Sequence, residues 1–574
     1  MPEEVINVAA RSLIFGRLWA GTYIEEGKPA AVATYTLNPS AQSQTVSYTL
    51  YNGYLRTRQV QAPGPAGGRL ISDTFYDKRG LVAKTFAPYY ALKKPERELF
   101  PADALGVETQ TWKTHGGLGR ETESRDVAGN GEGGKVLAVT KTLYGGDRTT
   151  VLPPEGGTAT TTVTDARGQT TQLLQHHTRA ADAPAETTRY TYTPAGKLES
   201  VTDPAGNKWA YQYDQLGNQT WSSDPDKGVT KAAFDDRSQP ISNEDANGDV
   251  LATVYDGLGR KTELHDKTPD GPLRAKWVYD TLAGAKGQLA ESTRYLNGKP
   301  YTTKVTQYDT LYRPQQTAIV IPDSEGKLAG TYQAGTSYYG NGLPKARSFS
   351  SMGNIVGKGW NYTYDDATLR MTTVYGTGIR SDATYTLAGK PLTYKIVGGG
   401  GKFTQVTNTY EWGTQRLSNS RVDRQDVAGV DQSATYGYDP AGNVTSLSDV
   451  SRSGTDTQCF TYDYLRRLTE AWTQDEKTCA DKPAGSLLAG PAPYWQSYGY
   501  DTAGNRTALT QHDPTGDTAK DTKNTYTYPK PGTPQPHTLT AVNAVGPTGT
   551  STSTYGYDHT GNTTTPVLQA TSKP

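Results

Sequence analysis

Four aromatic residues, Tyr192, Tyr213, Phe234 and Tyr255, stand 21 residues apart, and an aspartate follows each of the last three: Asp214, Asp235 and Asp256. A second series at the same spacing, Asp203, Asp224 and Asp245, opens the turns Asp203-Pro-Ala-Gly206, Asp224-Pro-Asp-Lys-Gly228 and Asp245-Ala-Asn-Gly248. A strict period of this length marks a repeat array, in which one small unit buries its apolar face only when its neighbours stack on it. The 574 residues exceed one ordinary domain, yet an array grows by adding units that pack on their neighbours, so length sets no domain count.

Each unit reads as β structure. In Lys208-Trp-Ala-Tyr-Gln-Tyr-Asp214, the residues Trp209, Tyr211 and Tyr213 alternate with Lys208, Ala210 and Gln212, so the aromatic side chains share one face of a half-buried strand. Asp214-Gln-Leu-Gly-Asn218 then supplies a carboxylate able to accept from backbone N–H groups two positions on, and a glycine free to take a positive φ. The chain reverses there, returns through Gln219 to Ser223 and turns again at Asp224-Pro225. Two short strands per period follow, close to the usual strand length of roughly 5 to 6 residues. Aromatics and threonines dominate these windows and no sustained 3.6-residue apolar stripe runs through them, so the chain is read as chained β-hairpins.

Tyr213-Asp214-Gln-Leu-Gly-Asn218, Tyr255-Asp256-Gly-Leu-Gly-Arg260 and Tyr438-Asp439-Pro-Ala-Gly-Asn443 resemble the YD repeat of Rhs and teneurin-type proteins. The pattern recurs at Tyr76-Asp77, Tyr462-Asp463, Tyr500-Asp501-Thr-Ala-Gly-Asn505 and Tyr557-Asp558-His-Thr-Gly-Asn562. Eroded copies such as Tyr51-Asn-Gly-Tyr-Leu-Arg56 and His115-Gly-Gly-Leu-Gly-Arg120 extend the resemblance over nearly the whole chain. It implies an all-β fold, a repeat array of chained antiparallel β-hairpins spiralling into a hollow YD shell. The repeat positions it singles out are Tyr213, Asp214 and Gly217; Tyr255, Asp256 and Gly259; Tyr438, Asp439 and Gly442; and Tyr500, Asp501 and Gly504.

The resemblance also implies a role. In bacterial relatives such a shell encloses a C-terminal toxin or effector for intercellular competition, so the expected partner is that effector or the remaining Rhs core, in cis or from an adjacent gene. A secreted or cell-surface location is expected on the same ground, although no signal peptide is visible. The core that carries self-cleaving aspartates in toxin-bearing relatives is not found, so cleavage is not carried over. By regularity, residues 1–160 form an irregular N-terminal part of the array, 161–265 the strict repeats, and 266–574 repeats with loop insertions, truncated before the Rhs core. Val5 to Trp19 reads as a strand severed from upstream sequence, Lys93-Lys-Pro-Glu-Arg-Glu98 as an exposed loop or short helical turn, and Tyr555 to Asp558 as an unpaired edge.

Composition excludes several function classes. Lysine plus arginine equals aspartate plus glutamate at 58 each, so no net field draws nucleic acid or an anionic membrane. Mean hydropathy is -0.68, yet 39 tyrosines against 8 phenylalanines fit a β surface with wet tyrosine edges. No apolar run approaches the roughly 18 residues of a membrane helix.

Chemistry finds little purchase. A catalytic carboxylate pair occurs once, whereas here the same aspartate recurs in turn after turn, as a turn-capping side chain does. Asp245-Ala-Asn-Gly-Asp249 resembles the opening of a calcium loop, but Val250 stands where that loop wants glycine and Asp256 where it wants a bidentate glutamate. Val397-Gly-Gly-Gly-Gly-Lys-Phe403 fails as a phosphate loop at Ile396 and Phe403. His176 and His177 point to opposite faces of a strand, and no serine or cysteine lies in a nucleophile elbow. The expectation is a chain without catalytic residues, cofactor or metal. Cys459 and Cys479, 20 residues apart, either staple a long hairpin, expected in the exported protein, or remain two thiols. The competing functional reading is a cell-surface module whose spaced aromatic rings stack on carbohydrate or bind a partner.

Overall fold

The computed structural model describes residues 18–40, 42–129 and 134–572. These residues form forty-two strands of one antiparallel sheet. Among them, helical structure is confined to short 3-10 turns such as Ala104–Gly106 and Gly485–Leu487. The all-β, chained-hairpin architecture read from the repeats is therefore the observed one. The first described strand, Leu18–Tyr23, pairs with Ala31–Leu37; the rest of the stretch expected as a severed strand, residues 5–17, lies outside the described residues.

Local chemistry explains the hairpins. Strand Lys208–Tyr213 pairs with Gln219–Asp224, placing Ala210 opposite Ser223 and Tyr213 opposite Gln219, with a bulge immediately before Tyr213. The same bulge precedes Tyr255, Tyr438 and Tyr500. A bulge adds one unpaired residue and increases local twist, so every repeat bends the sheet at the same point.

Two compact units are present. The first comprises residues up to Thr142, Pro153–Glu155 and Ala334–Thr455; the second comprises Leu143–Leu152, Gly156–Gln333 and Asp456–Pro574. In the first, Leu50 and Ile71 are buried together with three glutamines, Gln59, Gln61 and Gln110, each with no exposed surface. These amides hold the long loop that follows strand Val82–Ala91. Gln61 Nε2 donates to Glu98 O at 2.7 Å, Gln59 Nε2 to Phe100 O at 3.0 Å, and Gln110 Nε2 to Ala104 O at 2.9 Å. The loop through Lys93 and Glu98 is thus pinned at its backbone by buried polar groups, whose desolvation is offset by hydrogen bonds. In the second unit Trp472 is buried, and Thr473 N donates to Tyr494 O across the base of the 475–494 insertion.

One expectation is corrected. Tyr555 lies within strand Gly549–Tyr557, which pairs on one side with Ala541–Gly546 and on the other with Thr563–Ser572. It is no unpaired edge, because the chain beyond Asn562 returns for one more strand after the turn opened by Asp558.

Candidate functional site

The repeat unit is a small hydrogen-bonded device. Asp214 N donates to Asn218 O at 3.0 Å, and Gly217 N to Asp214 O at 3.1 Å with φ of 85° at Gly217. Asp214 Oδ1 accepts from Asn218 N at 2.8 Å and Oδ2 from Asn218 Nδ2 at 2.9 Å. Asp256 does the same work with an arginine: Oδ1 accepts from Leu258 N and Arg260 N, each at 2.9 Å, and Oδ2 from Arg260 Nε at 2.7 Å. Asp439 caps Asn443, and Asp501 caps Asn505. Hydrogen bonds from the turn hold the carboxyls of Asp214 and Asp256 below the usual carboxylate range: the Asn218 side chain acts most on Asp214, the Arg260 backbone N–H on Asp256.

The tyrosine before each aspartate is a latch to the preceding hairpin. Tyr213 OH donates to Leu198 O at 2.9 Å, Tyr255 OH to Pro240 O at 2.9 Å, Tyr438 OH to Leu417 O at 2.9 Å and Tyr500 OH to Leu468 O at 2.9 Å. In every case the acceptor is the first residue of the previous return strand. Burial pushes the phenols of Tyr255, Tyr438 and Tyr500 up. The twelve repeat residues do not converge on one point; each triplet caps its own turn and ties its hairpin to the one before.

The glycine position outlives its glycine. Ser238 (φ 60°), Tyr312 (φ 58°), Arg466 (φ 65°) and Leu55 (φ 55°) take the left-handed conformation in turns of the same kind. The capping carboxylate holds the turn, as where Asp235 Oδ1 accepts from Arg237 N and Gln239 N at 2.9 Å each.

Within the second unit, turn tips of residues 456–574 seat on loops of residues 156–333, at sequence separations of 278 to 330. Tyr464 packs at a tilt against His177 with centroids 4.4 Å apart, donates to Glu186 Oε1 at 3.1 Å and accepts at its carbonyl from Thr158 Oγ1 at 2.8 Å. His537 lies over Trp209 at 5.9 Å, with Nδ1 2.7 Å from Asp226 Oδ2 and Nε2 3.6 Å from Asp203 Oδ2. Asn247 Nδ2 donates to Asp558 Oδ2 at 3.1 Å. A cavity of about 590 Å³ lies beside this last contact, lined by Lys231, Glu244, Asp245 and Asp558 among others. Asp245 Oδ1 is already engaged by Asn247 N and Asp249 N, and Asp558 Oδ1 by Thr560 N and Asn562 N. The same mode occurs inside the first unit, where Thr109 Oγ1 donates to Gly413 O at 2.7 Å and Trp412 lies against Gly129.

One constellation was invisible in the sequence. Ser497 Oγ is 2.6 Å from His512 Nε2, and His512 Nδ1 is 3.0 Å from Asp521 Oδ2. The spacing is that of a nucleophile, base and orienting acid. Two further contacts redirect it: Ser497 Oγ donates to Glu470 Oε2 at 2.8 Å, and Trp495, whose Nε1 donates to the same oxygen at 2.7 Å, stacks on the imidazole at 3.7 Å. Both ring nitrogens of His512 have a polar partner, and the Glu470 carboxylate takes the Ser497 hydroxyl and the Trp495 indole N–H together. The arrangement is a closed hydrogen-bond network joining strands Leu468–Gln474, Trp495–Tyr500 and the loop ending at Asp521. No motif spacing signals it, since the residues meet only through strand pairing.

Cys459 and Cys479 are joined in a disulfide with Cα atoms 5.8 Å apart. Of the histidine pair, His176 is buried, with Nε2 2.8 Å from Thr161 Oγ1 and Nδ1 2.9 Å from Ala183 O, while His177 is the exposed partner of Tyr464. Among the described residues, no group of three or more His, Cys, Asp or Glu is placed to hold a metal, and no helix is long and apolar enough to cross a membrane.

The RHS Repeat family matches residues 192–229. No curated protein matches the sequence. Among solved structures, TcdB2–TccC3 superposes on 97% of this chain and 33% of its own, with TM-score 0.71 and 17% identity. The Photorhabdus luminescens Tc holotoxin pore and the TcdB2–TccC3–Cdc42 structure each match 93% of the chain with TM-score 0.68 and 17% identity, over 30% and 31% of their own length. This chain therefore spans about a third of those structures, and the likeness is one of fold.

Proposed function

Taking the chain as the Rhs/YD-repeat protein that its RHS repeat and shell-type sheet make it, we propose that it works as a wall: a non-catalytic segment of a toxin-associated shell that encloses or presents an effector. The observation that carries this reading is the Tyr-Asp device itself, repeated along a sheet whose fold matches TcdB2–TccC3 over 97% of the chain. Each repeat uses its chemistry to cap its own turn and to fasten its hairpin to the one before, as a wall requires. The effector, or the rest of the shell, comes from the same polypeptide or a neighbouring gene, and the assembly acts outside the producing cell.

The carbohydrate reading is weaker, because repeat tyrosines such as Tyr213, Tyr255, Tyr438 and Tyr500 have their hydroxyls bonded to neighbouring carbonyls. A sugar platform presents its rings to solvent.

The test is co-expression of the chain with the segment encoded downstream, followed by limited proteolysis. The effector survives when the chain is present and is digested when it is absent. Equal digestion in both cases ends the enclosure reading.

A further inference from the structure

The contacts inside the second unit obey one rule. Turns that follow a repeat tyrosine in residues 456–574, two of them opened by Asp463 and Asp558 and a third running from Tyr528 to Thr540, seat on the opposite-end loops of residues 156–333, as Tyr464 does on Glu186, His537 on Asp226 and Asp558 on Asn247. A tip meets a loop, so the contact is heterologous. A heterologous contact leaves one surface of each kind unmatched and propagates when copies meet. Here the unmatched surfaces are the tips of the early arm and the opposite-end loops of the late arm.

The early tips carry apolar side chains in solvent: Leu216 is 71% exposed and Leu258 78%. Their aspartates Asp214, Asp235 and Asp256 are turned inward as caps. What the row presents outward is the exposed cations Arg167, Lys197 and Arg237 against the exposed anions Asp165 and Asp236. The late-arm loops 475–494 and 512–521 carry the opposite balance. Asp475, Glu476, Asp481 and Asp517 are exposed there against Lys477, Lys482 and Lys520, and Leu487 is an exposed apolar residue among them.

We propose that the occupant of the Leu216–Leu258 tip row is a second copy of this chain, which seats its late-arm loops on the row as its own late tips seat on its early loops. One molecule holds both halves of the interface, their charge balances are opposite in sign, three cations to two anions on the row and four anions to three cations on the loops, and the mode is already used within the unit. The interface concerns how the wall extends and holds whether or not an effector is enclosed.

The test uses the full chain alone in sedimentation velocity, across about a hundredfold range of concentration. Expected is concentration-dependent growth past the dimer, because a heterologous contact between two copies leaves a free surface on each and copies add until a ring closes or a chain runs on, weakened by salt. L216D/L258D should weaken it at least about tenfold with an unchanged melting temperature. A photo-crosslinker in place of Leu258 should join an isotopically distinct copy within 475–494 or 512–521. A monomer at every concentration, growth that the double variant leaves intact, or cross-links to another segment would overturn the proposal. Should the double variant unfold, R167E/R237E, placed on the same row without touching an apolar residue, decides the matter by the same readouts. Protease protection of an effector is a separate measurement, so failure here and failure of the wall reading are distinguishable.

Discussion

The hydroxyl of Tyr213 donates to the carbonyl of Leu198 at 2.9 Å, fastening each hairpin to the one before it. Leu198 is the first residue of the previous return strand, so the bond sets the stagger between successive hairpins as well as their attachment.

Removing this latch has a measurable cost. Tyr213→Phe and Tyr500→Phe should each lose about 1 kcal/mol, the net worth of one hydrogen bond with its ring packing kept. Phe234 holds the same repeat position without a hydroxyl, opposite Pro240 and one hairpin beyond Gln219. Phe234→Tyr should add a similar amount. Urea unfolding of the three variants checks the signs, and a stabilised Tyr213→Phe would refute the latch.

Leu55 and Ser238 sit at φ of 55° and 60°, where a Cβ costs roughly 1–2 kcal/mol. Leu55→Gly and Ser238→Gly should raise stability by about 1 kcal/mol each, less the hydrogen bond that Ser238 Oγ accepts from Asn218. Gly504→Ala should lose about 1 kcal/mol from backbone strain alone, since nothing lies within 4 Å of the added Cβ. Paired melting curves decide it.

Acid should weaken the array in one direction. The folded-state carboxyls of Asp214, Asp256 and Asp309 are held below their ordinary range. A depressed carboxyl contributes stability that is fully present above its unfolded value and is lost as pH falls through the folded one. The melting temperature should therefore stay level through neutral pH with respect to these groups and fall below the usual carboxylate range. Asp256→Asn should flatten part of that fall. Unfolding scans over acid pH measure it; a melting temperature that rises on acidification would contradict the caps.

Reducing the Cys459–Cys479 bridge releases a loop of 20 residues, for which chain entropy predicts a loss of about 3 kcal/mol. The native protein should take up no thiol reagent until a reductant is added. Immediate labelling of both cysteines would show the bridge absent in solution.

Ser497 should not react with a fluorophosphonate probe, because its hydroxyl proton is directed to Glu470. Glu470→Gln, which keeps the size and weakens that acceptor, is the informative comparison. Labelling of the unsubstituted chain at Ser497 would reveal a nucleophile and end the reading of this cluster as a brace.

Strand and turn were legible because their causes are local. Trp209, Tyr211 and Tyr213 share a face through the two-residue alternation of a strand, and Asp214 caps a turn only four residues long. The tyrosine latch was half legible. Its period of 21 is written in the chain, but its acceptor is a backbone carbonyl, and a carbonyl has no residue type to read. The edge expected at Tyr555 was misjudged because the residues after Asn562 carry little aromatic alternation, while the growing sheet still offers them a pairing partner.

What the sequence determined by itself is the repeat: its period, its hairpins and its turn chemistry, since every one of those contacts lies within two neighbouring units. What only the tertiary structure decided is where the late arm of the second unit lands on its early arm. His537 meets Asp226 across 311 residues, and Ser497, His512 and Asp521 meet through the pairing of successive strands. Such meetings depend on the summed twist of many intervening strands and on insertions such as 475–494. Each strand contributes a rotation of roughly 20–25° with wide scatter, and no local pattern carries that sum.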